Sequence, residues 1–322
     1  MKKTAISLLA ILLCFCVCTV AVSGAEYLVP VGRVIGLSLS DGSVTIVSFD
    51  EAMGQHAKSA GLCAGDKILA VDDTPITCAE DIRQALCRSN GTVTLKLERK
   101  GKEQILKLSP QITEDGPKLG IFLKEGVTGI GTVTFYNPEN GNFGALGHGV
   151  SDAQGKILEL VSGNAYSAHV SSVKKGKAGQ PGQLRGALSH KEAIGTLVRN
   201  TNRGLFGNTS VPWSGKALEV ASCDQIKTGA ASILSTINGD CVQEYSVEIC
   251  KIYPLTRSGD KNMLIRITDP RLLETTGGIV QGMSGSPIIQ DGKLVGAVTH
   301  VLVNDPTTGY GIFIENMLEA AG

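Results

Sequence analysis

Glycine punctuates this chain too densely for long helices. Forty of its 322 residues are glycine, against a usual share of about 7%. What fits between such interruptions is short strands joined by tight turns. Hydrophobic residues reach 42% while aromatics supply only 4%, so the core must be largely aliphatic. Thirty Lys and Arg balance thirty Asp and Glu. With no basic surplus, nothing marks a nucleic-acid partner.

The strand pattern falls into two regions. "SVTIVSF" (Ser43–Phe49), "GDKILAVDD" (Gly65–Asp73) and "TVTLKLERKGKEQILKLSP" (Thr92–Pro110) alternate apolar and polar residues, the last around a hairpin at Lys100-Gly101. Two helices are predicted between them. "SFDEAMGQHAKSAGL" ends near Gly61, and "CAEDIRQALCRSNG" puts Ala79, Ile82, Leu86 and Cys87 on one face and stops at Asn90-Gly91. Together they predict a small α+β domain. Pro110, Gly116 and Pro117 then lie among charges, which places a seam near residues 110–117. Beyond it come more short strands, with only "ENMLEAAG" reading as helix. That pattern predicts a β-barrel or sandwich.

At the N-terminus, Lys2 and Lys3 precede an uncharged, mostly apolar run from Thr4 to Val22, followed by Ser23-Gly24-Ala25. Residues 1–25 read as a signal peptide, or as an uncleaved membrane anchor, with the bulk exported. Three of nine cysteines lie in that run. Cys63, Cys78, Cys87, Cys223, Cys241 and Cys250 show no CxxC spacing, so no metal site is expected and small buried thiols are the plainer reading.

The chemistry concentrates in "GMSGSP". Ser284 stands between Gly282 and Gly285, ahead of a strand-like run. A serine hydroxyl needs a base to remove its proton and donors for the oxyanion that forms. A glycine turn supplies the donors as the N–H groups of Gly282 and Ser284. Among five histidines, His56 belongs to the α+β region, and His169 and His190 lie in polar segments. His300 follows a strand close to the serine. His148, in "GALGHGVSD", is ringed by small residues at a strand end, which leaves room for a substrate.

Two resemblances sharpen this. "AGLCAGDKILAVDDTPI" (Ala60–Ile76) resembles a PDZ domain, which captures an extended peptide at a sheet edge. The loop implied for that capture is "RVIGLSL", with Ile35, Gly36 and Leu37. "GALGHGVSD" together with "MLIRITDPRLLETTGGIVQGMSGSPIIQDGKLVGAVTHVLVNDPTTGYGIFIE" resembles the SpoIVB peptidase family. The resemblance implies a mainly β chain: PDZ domain at 26–112, then a chymotrypsin-like double β-barrel peptidase domain at 113–322. It also implies His148 as general base, Ser284 as nucleophile and Asp269 as acid, with Thr299 steadying that acid. Asp269-Pro270 is equally a turn starter able to cap "RLLETT". Met283 stands where digestive-type peptidases carry an acidic residue.

The same resemblance implies an exported serine endopeptidase without cofactor. It would cut itself and a regulator of an intramembrane protease, in the space between forespore and mother-cell membranes, triggering late sigma-factor activation. A PDZ adaptor that has lost catalysis is the rival reading. A secreted disulfide protein is a third, and it leaves the PDZ pattern unexplained.

Overall fold

The computed structural model describes residues 26–152, 155–253 and 259–322; the expected signal or anchor segment, residues 1–25, lies outside them. Strands β1 (Tyr27–Pro30) and β2 (Val34–Phe49) lead to helix α1 (Gly54–Ser59), β3 (Lys67–Val71), β4 (Thr74–Pro75) and helix α2 (Ala79–Arg88). A hairpin, β5 (Val93–Arg99) and β6 (Lys102–Leu108), and a ribbon, β7 (Gln111–Thr113) and β8 (Gly116–Lys118), complete this part. Then come β9 (Ile121–Tyr136), β10 (Asn142–Ala145), β11 (Ser162–Lys174), β12 (Gln183–Thr201), β13 (Gly204–Asn208) and β14 (Leu218–Glu219). The last part holds β15 (Gly229–Asn238), β16 (Cys241–Ile252), β17 (Met263–Ile267) and helix α3 (Pro270–Thr276). It ends with β18 (Pro287–Gln290), β19 (Lys293–Leu302), β20 (Asp305–Phe313) and helix α4 (Ile314–Ala321).

Strand pairing closes two barrels. In the first, β9, β10, β13, β12, β11 and β2 are neighbours in that order, and β2 pairs back onto β9. In the second, β15, β16, β17, β20, β19 and β18 form a closed ring. The chain is thus mainly β, in the chymotrypsin-like double-barrel arrangement that the resemblance implied. Closure leaves few free edges, which suits a chain of short strands. Leu28, Phe135 and Phe206 meet Leu294, Ala297, Ile312 and Met317 in one buried cluster, which fastens β1 and the first barrel to the second barrel and α4.

A separate aliphatic core fills the α+β unit, where Val44, Ile46, Ile68, Val71, Leu95 and Leu97 of the sheet pack on Ile82, Ala85 and Leu86 of α2. Its border is not where the sequence pattern put it. β2 and β9 each serve both units: Val34–Leu39 pair with Val127–Thr132 in the barrel, while Val44–Phe49 pair with Ile121–Glu125 in the α+β sheet. Between those stretches the register breaks at Gly42 and Gly126, both at positive φ. A Cβ on Gly126 would lie 1.8 Å from the Leu39 carbonyl oxygen, so only glycine allows this crossing. The Pro- and Gly-rich seam at 110–117 is the ribbon β7–β8, and Leu119 just beyond it still belongs to the α+β core.

Candidate active site

Ser284 sits on the turn that enters β18, and the first barrel holds that turn in place. The Thr132 hydroxyl donates to the Gly282 carbonyl at 2.7 Å, the Thr132 N–H to the Ser284 carbonyl at 3.1 Å, and the Thr134 hydroxyl to the Gly285 carbonyl at 2.8 Å. Within the turn, the N–H groups of Met283 and Gly285 donate to the carbonyls of Val280 and Val298. The N–H groups of Gly282 and Ser284 have no acceptor among the described residues, which leaves the two predicted oxyanion donors available. Gly282 has φ +100°, and a Cβ there would meet Leu184 at 3.0 Å. A side chain there would be strained as well as crowded.

His148 follows β10 after two residues in the left-handed region, Leu146 and Gly147. It faces the serine turn: His148, Gly282 and Ser284 line one cavity of about 330 Å³. The predicted base and nucleophile, far apart in sequence, therefore share a site. His148 Nδ1 lies 2.9 Å from the Gly149 carbonyl. A carbonyl only accepts, so Nδ1 carries the proton and Nε2 keeps the lone pair a general base needs. The Ser284 hydroxyl donates to the Thr299 carbonyl at 2.7 Å.

Asp269 is elsewhere engaged. Its carboxylate caps α3, accepting from the backbone N–H groups of Arg271 at 2.9 Å and Leu272 at 3.4 Å, and from Ser246 at 3.3 Å. The Arg271 guanidinium binds it through Nε at 3.1 Å and Nη2 at 2.8 Å. That guanidinium, helped by the backbone donors, pulls the carboxyl down to about 2. None of these bonds reaches His148; in this structure the carboxylate serves as a helix cap paired with Arg271. The Asp-Pro pair acts as a helix start, its oxygens consumed by N–H groups that would otherwise lack partners. Thr299 departs from expectation too: its hydroxyl donates to the carbonyls of Asp260 and Tyr310 rather than to a carboxylate.

What does stand beside His148 is His300, with ring centroids 5.0 Å apart. His300 Nδ1 lies 3.5 Å from Asp260 Oδ2, and burial, followed by the neighbouring His148, pushes the His300 pKa down. The position of His300 just after Thr299 was the available signal; Asp260 had none.

The peptide-capture residues also need correcting. Ile35, Gly36 and Leu37 lie in the middle of β2, paired on one side with Gly131, Ile130 and Gly129 and on the other with Ser167, Tyr166 and Ala165. No edge remains there for a peptide strand. A groove of about 310 Å³ runs instead between Ala79, Ile82 and Leu86 of α2 and the Leu119–Leu123 segment, where β9 has β2 on only one side. Gly120 turns at φ +67°, and a Cβ there would strike the Met53 backbone at 2.6 Å. Glycine amid "KLGIFL" was the overlooked signal. The six described cysteines are unpaired; three are exposed and three half-buried, contrary to the buried thiols expected.

The sequence model of the family described as SpoIVB peptidase S55 matches residues 115–318. The chain belongs to the SpoIVB peptidase family. The matched range contains His148, Asp269, Ser284 and Thr299 but begins after β2, which the first barrel requires. The chain is also similar to a protein named "Putative zinc metalloprotease" of Rhizobium meliloti (strain 1021), 35% identical over 38% of this chain and 31% of that protein. A protein of the same name from Agrobacterium fabrum (strain C58 / ATCC 33970) is 24% identical over 66% of this chain and 52% of its own length. The chain thus spans about a third to a half of the curated relatives it matches. Among solved structures it is similar to Rv3671c from M. tuberculosis H37Rv, a serine-to-alanine mutant in the inactive form. There the TM-score is 0.34 and the identity 15%, over 60% of this chain and 80% of that one. A TM-score that low leaves the strand pairings to carry the fold.

Proposed function

We propose that the chain is a serine endopeptidase that cuts polypeptides through an acyl-enzyme, with Ser284 as nucleophile and His148 as general base. One observation carries the reading. Within a SpoIVB-family chain, a serine on a glycine turn, an imidazole and two unsatisfied backbone donors share a single cavity. His148 Nε2 accepts the Ser284 proton as Oγ attacks the scissile carbonyl. The N–H groups of Gly282 and Ser284 hold the resulting oxyanion, where each donor is worth roughly 2.7–4 kcal/mol. His148 then gives its proton to the leaving amine, and water repeats the sequence on the acyl-enzyme. Gly149 fixes the imidazole tautomer, and Asp269 remains the α3 cap.

Family membership supports a finer reading: export, self-cleavage, and cutting a regulator of an intramembrane protease between forespore and mother cell, with sigma-factor activation downstream. The residues at 1–25 support export. The PDZ-like motif and the open β9 edge beside α2 support a module that takes an extended peptide end.

Labelling by a fluorophosphonate probe tests the core of this. Wild type labels and Ser284→Ala does not if the reading holds. A folded wild type that stays unlabelled returns the chain to the adaptor reading.

A further inference from the structure

The cavity that holds Ser284 has a wall the mechanism does not use. Leu37 and Leu39 come from β2, Val127 and Ile130 from β9, and Leu146 and Val150 flank His148. Leu37 is 5% exposed and Leu39 1%, so the floor is part of the barrel core. No Asp, Glu, Lys or Arg lines this space. A charged side chain entering it would lose its water and find no counter-ion, whereas an aliphatic one would exchange water for close contacts.

We propose that this cavity selects the substrate residue beside the scissile bond, and that it takes a Leu, Ile, Val or Met side chain. The proposal rests on the serine peptidase reading, since only His148, Gly282 and Ser284 in its lining make the cavity a subsite. Gly129 sets its capacity. It lies opposite Leu37 in the β2–β9 register and on the same strand face as Val127. A Cβ built at Gly129 meets nothing within 4 Å, and its φ is not in the left-handed region. A larger residue at 129 therefore fits the backbone and takes up space that substrate would occupy.

The test uses the purified chain and a mixture of synthetic peptides randomised on both sides of the cut, with cleavage sites read by mass spectrometry. Wild type should cut beside aliphatic residues at one flanking position. Gly129→Leu should move that position to Ala, Ser or Gly, changing the large-to-small preference by roughly 10- to 200-fold. Gly129→Ala should move it less in the same direction, and it reports if the Leu variant does not fold. A flat profile, a charged preference, or a preference unmoved by either substitution overturns the proposal. If those results come with fluorophosphonate labelling of Ser284, the peptidase reading stands and only the subsite falls. If wild type neither labels nor cuts any peptide, both fall together.

Discussion

The imidazoles of His148 and His300 lie 5.0 Å apart at a tilt of 39°. The ring beside the proposed general base is thus a second imidazole. Burial, then the neighbouring His148, oppose protonation of His300, while Asp260 favours it and Lys261 opposes it. The unfolded chain takes up this proton near 6.5, and the folded chain resists until lower pH. Stability should therefore fall as pH drops below about 6.5. Denaturant midpoints at pH 7 and pH 5.5 should differ less in His300→Gln than in wild type. Equal slopes would show that His300 does not carry this effect.

Ser284→Ala and His148→Ala should each lower peptide turnover by several orders of magnitude, since the two act as one unit. Neither should shift the thermal midpoint much. Turnover and melting curves on the same preparations check both halves.

Asp269→Ala removes the α3 cap and the Arg271 pair together, and should lower stability by about 1–2 kcal/mol. Asp269→Asn keeps a capping oxygen and should lose less. Neither should alter kcat/KM more than a few-fold below the melting temperature. A thousandfold loss in a folded Asn variant would restore Asp269 as the acid. With its carboxyl near 2 in the fold and about 3.9 unfolded, the stability it contributes is full above pH 4. It is lost as acid carries the protein through pH 2.

Gly282→Ala asks a Cβ to sit at φ +100° against Leu184. The turn must shift, and with it the N–H that faces the oxyanion. A fall of roughly 10²–10³ in kcat with KM little changed is expected, measured on the best peptide of the library. An unchanged kcat would remove that donor from the mechanism.

The sequence made the serine and histidine that share the cavity legible because their signals are local. A serine between glycines and a histidine among small residues each announce a crowded backbone that leaves one side open. The β class was legible in the same way, through alternation and glycine. Asp269 was not, because Asp-Pro starts a helix in the same letters that could mark an acid. Only the placement of Arg271 and Ser246 around the carboxylate separates the two. Ile35, Gly36 and Leu37 were misplaced because the PDZ resemblance implied a capture loop at "RVIGLSL", whereas pairing with β9 and β11, far along the chain, makes it mid-strand. His300 meets His148, and Asp260 meets His300, through packing between elements, which no periodicity records.

Because β2 belongs to the first barrel, the peptidase body cannot be liberated by severing the chain near residue 112. A fragment beginning there would face water with β9 and β11 each missing a neighbour, two raw borders where a closed wall had been. Any self-inflicted nick between Phe49 and Ile121 must leave both pieces clasped if activity is to survive it.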